Sequence, residues 1–506
     1  MQFYGVNDYF QRVDTIGHWI QGRTVMGASE RRGPVYNPAL GRQVAAVSLA
    51  SASEVDDVVK SAVDASLDWA QSSLSTRASL LFRLRELVDQ HRDELARTVT
   101  REHGKVVSDS LGEVARGLDC VEFACGIPNL IKGSYSPQVS TGVDVHTVLE
   151  PVGVVAGITP FNFPVMVPLW MMANALACGN AFVLKPSEKD PSASLQLAEL
   201  VQRAGFPDGV LSVVQGDSEA VNTLLEHPGV DALSFVGSTP VAKHVYETGT
   251  RKGKRVQALG GAKNHMVVLP DADIDVAADA AISAGYGSAG ERCMAISVVV
   301  AVGSVADALV DAVAARIPDV VVGPGDRPDS MMGPLITGEH RDRVRTYVDG
   351  AAGQGARVVV DGGTTDQTEG FFLGCSLIDH VTPGMKVYDD EIFGPVLSVV
   401  RVPTFAEAVN LVNSNPYGNG VAVFTRDGGA ARRFERSVKV GMVGVNVPIP
   451  VPVASHSFGG WKNSIFGDSP IYGPEGIRFY TRPKVVTSRW PEAASNSLDL
   501  GFPTGR

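Results

Sequence analysis

Residues 152–164 read Val152-Gly153-Val154-Val155-Ala156-Gly157-Ile158-Thr159-Pro160-Phe161-Asn162-Phe163-Pro164. A short apolar run stopped by two prolines predicts a strand running into a stiff turn. A helix-like segment follows at 168–177, and the rhythm repeats as 181–184 with 192–204, 210–214 with 218–225, and 232–236 leading into 241–248. Apolar strands separated by helices mark βαβ crossovers and a parallel sheet, the pattern of nucleotide-binding folds. A second series takes strands at 266–269, 298–302, 396–400 and 421–424, with helices at 276–288, 306–317 and 405–412. The expected class is therefore α/β, with a second α/β domain after the first.

Upstream, 51–110 is helical by pattern, with Leu80, Leu81, Leu84, Leu87 and Val88 at core spacing. The longest apolar stretch, 165–178, is broken by Pro168 and Asn174 and is shorter than the roughly 20 residues that cross a bilayer. It reads as a buried helix. Residues 133–147 and 447–484 break the rhythm, the latter with Pro448, Pro450, Pro452, Pro470 and Pro474. Such stretches are expected to run over a surface or against another subunit.

The chain has 506 residues, enough for two or more domains with large cores. Its 44 basic and 55 acidic side chains give a net charge of -11, which argues against a grip on nucleic acid or anionic membrane and leaves small ligands. Cys120, Cys125, Cys178, Cys293 and Cys375 are few and odd in number, as expected of reduced thiols in a cytoplasmic protein. Residues 1–20 lack the basic-then-apolar order of a secretory leader. No metal site is assigned.

Several short motifs carry chemistry. Cys293, in Gly290-Glu291-Arg292-Cys293-Met294-Ala295, stands beside a cation that favours thiolate, although most free cysteines pack as small hydrophobes. Asn162 lies in a turn between Phe161 and Phe163, where its amide can meet an oxyanion or simply close a strand. Phe235-Val236-Gly237-Ser238-Thr239-Pro240 reads as strand, turn and helix start, a place for a pyrophosphate, without the full glycine signature. Lys185-Pro186-Ser187-Glu188 follows the second strand. Glu188 there is suited to accept from a ribose 2′-hydroxyl and to repel a 2′-phosphate, favouring NAD over NADP; a solvated loop is the alternative. Glu391-Ile392-Phe393-Gly394-Pro395 alone is no better than a loop.

Taken in order, 160–164, 185–188, 235–238, Gly260-Gly261, Cys293 and 391–395 resemble the aldehyde dehydrogenase superfamily, over about residues 17–489. The resemblance implies a Rossmann-like NAD domain (1–124 and 145–257), an α/β catalytic domain (258–445), a small oligomerisation arm (125–144 and 446–490) and a tail (491–506). It implies Cys293 as nucleophile and Asn162 with the Cys293 backbone N–H as oxyanion hole. Phe161 and Gly237 join the cofactor wall, Lys185 and Glu188 hold the adenosine ribose, Ser238 meets the pyrophosphate, and Glu391 and Phe393 position the nicotinamide end. A homo-oligomer, dimer or tetramer, is expected.

Within the superfamily, 256–265, 290–295, 457–462 and 472–476 are similar to the CoA-acylating methylmalonate-semialdehyde dehydrogenase branch. Hydrolytic members carry a Glu before the Gly-Gly pair to activate water; here Ala258 and Leu259 stand there, and neither accepts a proton. A thiol co-substrate, coenzyme A, tolerates that loss better than water does. The branch implies that Arg116 and Arg292 read the substrate's carboxylate, and that malonate or methylmalonate semialdehyde is oxidised with decarboxylation to acetyl-CoA or propionyl-CoA. The alternatives are a hydrolytic dehydrogenase releasing a free acid, with Glu291, otherwise a structural or surface residue, or a distant base activating water, and a catalytically idle member of the fold.

Overall fold

The computed structural model describes residues 14–490 except Thr364, Asp366 and Thr368; the expected tail at 491–506 and the first 13 residues lie outside the described residues. The four strands expected over 152–236 join four others in a first sheet ordered Ile465–Phe466, Arg255–Leu259, Ala232–Val236, Val154–Ile158, Ala181–Lys185, Leu211–Val213, His18–Ile20, Arg23–Val25. Its five central strands are parallel, and short antiparallel strands close both edges. From Val154–Ile158 the chain steps outward through two strands. It then returns to place Ala232–Val236 on the other side of the first. The carboxyl ends of these two strands flank the point where strand order reverses, the crevice in which open α/β sheets bind ligands.

The second sheet runs Arg357–Val360, Ser376–Asp379, Val396–Val402, Ile296–Val302, Asn264–Val268, Gly420–Phe424, Met442–Val445, parallel except at the Arg357–Val360 edge. The α/β reading therefore holds for both halves. The apolar stretch at 165–178 forms the helix Met166–Ala177 with every residue buried, and it packs on Val107–Cys125. Residues 51–110 divide into Ala52–Gln71, Leu74–Gln90, Arg92–His103 and the start of Val107–Cys125. Ser51 and Ser73 supply the N-caps that start the first two, Ser51 in a reciprocal box with Glu54. Among the described residues no helix is long and apolar enough to cross a membrane.

Residues 133–147 are not irregular, and the expectation is corrected. Tyr135–Ser140 and Val143–Pro151 form a hairpin, and Thr481–Arg489 pairs along the length of the second strand. The strand Val143–Pro151 is continuous across the 144/145 boundary expected between arm and nucleotide domain. The ribbon is only partly covered: Leu149 packs against the first core, while Tyr135, Val139, Val148 and Val485 are exposed. Pro137 sits on an edge strand where its missing N–H is tolerated.

One buried side chain ties the first sheet to the C-terminal segment. Asn180 accepts from the N–H groups of Val152 (2.8 Å) and Gly153 (3.0 Å) and donates to the carbonyls of Ala175 and Tyr480, both at 3.0 Å. All its hydrogen-bonding capacity is used where water does not reach. Asn180→Ala orphans two backbone donors and two acceptors, so it should cost roughly 3 kcal/mol or more. A urea melt followed by circular dichroism should show that fall; an unchanged midpoint would mean that the segment is held elsewhere.

Candidate active site

The crevice at the strand-order reversal opens into a cavity of about 810 Å³. Its wall includes Phe161, Asn162, Gly237 and Ser238 from the first sheet and Cys293, Glu391 and Phe393 from the second. Seven of the residues singled out in the sequence thus meet in one place. Of the five free cysteines, Cys293 alone is not buried, which separates it from its packed counterparts.

Three consecutive residues before the Glu291-Arg292-Cys293 run adopt left-handed backbone: Ser288 (φ 51°), Ala289 (φ 53°) and Gly290 (φ 73°). This is why the helix expected at 276–288 stops earlier, as Ile274–Tyr286. The two non-glycine residues each cost about 1 kcal/mol in that conformation. At Gly290 there is a second constraint, since a Cβ there would collide with the Gly394 carbonyl. The turn thereby packs the Cys293 loop against the loop carrying Glu391 and Phe393.

The far side of the Cys293 peptide is pinned. Its carbonyl accepts from Asn264 Nδ2 at 2.9 Å and Asn419 Nδ2 at 3.1 Å, and Asn264 Oδ1 accepts from the Gly420 N–H at 3.1 Å. Neither amide was assigned a role from sequence, because their partner, the Cys293 carbonyl, lies 29 and 126 residues away along the chain. Burial and the nearby Glu391 carboxylate push the Cys293 thiol up to about 12, while the backbone N–H groups of Cys293 and Met294 and the Arg292 charge pull it down. Asn162 is buried in the turn after Val154–Ile158, and its side-chain amide makes no hydrogen bond among the described residues. Both the amide and the cavity it lines are open to a ligand.

The helix Thr239–Arg251 begins at the cavity. Its N-cap Ser238 makes no side-chain cap and Pro240 stands in its first turn, so its leading N–H groups are open to an anion. Lys185 and Glu188 do not line this cavity; they pair with each other at 3.2 Å one strand over. The Lys185 charge and hydrogen bonding hold the Glu188 carboxyl below its usual range despite burial. That anion suits a ribose hydroxyl and opposes a phosphate ester. Glu391 Oε1 accepts from the Ala262 N–H at 2.9 Å, while burial raises its carboxyl. Phe393 holds a left-handed φ of 57°. His340 Nε2 meets its carbonyl at 2.7 Å, and its ring stands edge-on to Phe161 at 5.9 Å. Open helix terminus, ribose-suited carboxylate and flanking aromatic rings together fit a dinucleotide. Sequence reading missed His340, Arg343 and Lys189 on this wall. Lys189 follows Glu188 directly and lies 4.9 Å over the Phe161 ring.

Three charged residues singled out in the sequence, Glu291, Arg292 and Arg116, have partners that the sequence alone does not show. Glu291 is fully buried beneath the loop, with its carboxylate 3.7 Å from His103 Nε2 and 3.5 Å from His340 Nε2, and it does not line the cavity. Burial pushes it up to about 8, so at neutral pH it is mainly a protonated acid. Arg292 reaches Asp109 at 2.9 Å and Ser288 Oγ at 3.2 Å. Arg116 bonds Asp119 at 3.2 Å and the Val451 carbonyl at 3.3 Å. Neither arginine lines the cavity. Ala258 and Leu259 point into core on either face of their strand.

A thiol with so high a pKa is protonated in the resting protein. Its alkylation by iodoacetamide, followed by peptide mass spectrometry, should accelerate about tenfold per pH unit between pH 7 and 9. A plateau below pH 8 would show that the thiolate is already formed.

The model of the aldehyde dehydrogenase family matches residues 25–486. The chain is 51% identical to a malonate-semialdehyde dehydrogenase of Pseudomonas aeruginosa, over 97% of this chain and 99% of the relative. Among solved structures it is similar to the methylmalonate-semialdehyde dehydrogenase of Oceanimonas doudoroffii, at a TM-score of 0.94 and 52% identity, covering 95% of this chain and 99% of that one. A Sinorhizobium meliloti protein, described as a methylmalonate-semialdehyde dehydrogenase and crystallised with NAD, matches at a TM-score of 0.94 and 49% identity, covering 96% and 99%. With the thiol, the amide and the nucleotide crevice in one cavity, this chain belongs to the aldehyde dehydrogenase family.

Proposed function

We propose that this protein oxidises malonate or methylmalonate semialdehyde with NAD and transfers the acyl group to coenzyme A. Relatives with those activities in their names, at about half identity over nearly the whole chain, support the dehydrogenase reading. The observation that carries the CoA step is the apolar Ala258-Leu259 pair beside a cavity that holds an intact thiol.

In this reading the Cys293 sulfur attacks the aldehyde carbon. The carbonyl electrons move to oxygen, which the Asn162 amide and the Cys293 N–H receive. The high thiol pKa makes proton loss part of the cost of this step. Bound NAD supplies the acceptor for the aldehyde hydrogen and its electron pair, so the carbon becomes a thioester on Cys293. Ser238 and the start of Thr239–Arg251 would hold the NAD pyrophosphate, Lys185 and Glu188 its adenosine ribose, and Phe161, Gly237, Glu391 and Phe393 its nicotinamide end. Loss of the β-carboxylate as carbon dioxide leaves an enolate on the same oxyanion donors, and protonation gives the acyl group. The CoA thiolate then attacks the thioester and releases Cys293.

Arg116 and Arg292 are the proposed carboxylate readers, each held in place by an aspartate, Asp119 or Asp109. A substrate carboxylate either joins these pairs or displaces an aspartate, and bidentate geometry favours arginine for that task. The hydrolytic alternative loses support from Glu291, which is buried away from the cavity. The nucleotide half of the chain (14–124 with 152–257) and the catalytic half (258–445) would form the site between them, the boundary at 145 giving way because Val143–Pro151 is one strand. The exposed ribbon of Tyr135–Ser140, Val143–Pro151 and Thr481–Arg489 would serve as the oligomerisation arm of a cytoplasmic dimer or tetramer.

Purified protein with NAD and malonate semialdehyde should turn over steadily only when CoA is present, measured as NADH and acyl-CoA. Sustained release of free acid without CoA would overturn the CoA reading, and no NADH would favour an idle fold. Arg116→Ala should raise KM for the semialdehyde acid about tenfold or more while leaving propanal unchanged. An equal loss on both substrates would sink the carboxylate role.

A further inference from the structure

Behind the turn that carries Asn162 lies a buried ion pair that the reaction scheme does not use. Lys105 and Glu113, both fully buried, pair at 2.8 Å. Lys105 Nζ also donates to the Asn162 carbonyl at 2.6 Å and stands 4.4 Å over the Phe163 ring. The other oxygen of Glu113 accepts from the Val165 N–H at 2.8 Å and the Met166 N–H at 3.1 Å, at the start of Met166–Ala177. The turn is thus gripped at Asn162 and again three to four residues later by one pair of opposite charges.

The stretch that bears this pair also touches the nucleophile loop. His103 faces Glu291, and Asp109 bonds Ser288 Oγ at 2.9 Å and Arg292 at 2.9 Å. Its backbone is locked to the second half of the chain, since the Val107 N–H donates to the Gly325 carbonyl at 3.0 Å and a Cβ on Gly333 would collide with the Gly104 carbonyl. Residues 103–113 therefore span the gap between two elements on different sheets, one holding the proposed oxyanion donor and the other the proposed nucleophile.

We propose that Lys105 and Glu113 are positioning residues that fix the Asn162 amide against Cys293. Neither faces the cavity, so they act on the reaction only through the turn they hold. A burial so deep is costly for two charges unless their hydrogen bonds are satisfied. Here each partner spends its remaining capacity on the backbone of that turn. A displacement of about 1 Å in such a donor is enough to cost on the order of a hundredfold in rate. The proposal rests on the assignment of Asn162 as oxyanion donor.

The test is a double-mutant cycle read on the first turnover. Stopped-flow NADH formation with saturating NAD and malonate semialdehyde is compared in the unmodified protein, Asn162→Ala, Lys105→Met and the double variant. Asn162→Ala should slow the step by on the order of a hundredfold, and Lys105→Met by roughly tenfold. The double variant should match Asn162→Ala within about twofold, because a clamp has nothing left to hold. The NAD dissociation constant should stay within about twofold throughout. A full tenfold further loss in the double variant, or a loss confined to NAD affinity, would overturn the proposal. An Asn162→Ala variant as fast as the parent would remove the oxyanion assignment first and the clamp with it. If Lys105→Met does not fold, Glu113→Gln decides in the same cycle, since it keeps an acceptor for Val165 and Met166 but drops the charge that holds Lys105. It should slow the first turnover several-fold alone and not at all in the Asn162→Ala background.

Discussion

The Cys293 carbonyl accepts from two side-chain amides at once, and the rest of the site is arranged around that anchor. Asn264 begins the strand Asn264–Val268, and Asn419 immediately precedes Gly420–Phe424, its neighbour in the second sheet. Two hydrogen bonds worth about 1 kcal/mol each roughly offset the left-handed backbone at Ser288 and Ala289. The loop can therefore hold a conformation that isolated chain avoids. What the strain secures is an approach: without Cβ at Gly290 the Cys293 loop closes onto the Gly394 carbonyl, bringing Glu391 and Phe393 to the same cavity.

The two halves contribute unlike things. The first sheet supplies an open helix terminus and the Asn162 amide, features of a binding crevice; the second supplies the thiol. Chemistry between them depends on the registry of one sheet against the other, and loops alone hold registry poorly. The buried contacts at 103–113 address that problem, with charge-assisted bonds to the Asn162 turn and backbone locking to the opposite half. Arg292 is drawn into the same arrangement through Asp109, so the cation beside the thiol is oriented rather than free.

The electrostatics point one way. Removing water from Cys293 raises its pKa, and the same exclusion raises Glu391 and Glu291. A site this dry disfavours charge at rest and strengthens each donor that meets charge as it develops. Ala258 and Leu259 extend that character, since the strand Arg255–Leu259 turns apolar side chains to the core on both faces. A thiol co-substrate brings its own nucleophilicity into such surroundings, whereas water needs a base there.

The alternation of apolar strands and helices was legible in the chain because burial on both faces of a parallel sheet demands it, and both large sheets followed. So were the residues whose chemistry is local: Cys293, Asn162, the strand-turn-helix at 235–240 and the missing carboxylate at Ala258-Leu259. The hairpin at 135–151 was not, since most of its side chains are exposed or half-covered and burial constrains few of them. Nor was the fate of three charges. Glu291 is two residues from the thiol in the chain, yet the left-handed turn sends it into the core between two histidines that come from 188 residues upstream and 49 downstream. Arg116 and Arg292 read as free cations, and only packing revealed the aspartates that hold them. Sequence by itself determined which reactive groups exist and in what order, because side-chain chemistry and hydrophobic period are local. Tertiary structure alone decided which of them share a cavity and which are buried and paired, because desolvation and hydrogen bonding are set by neighbours distant along the chain.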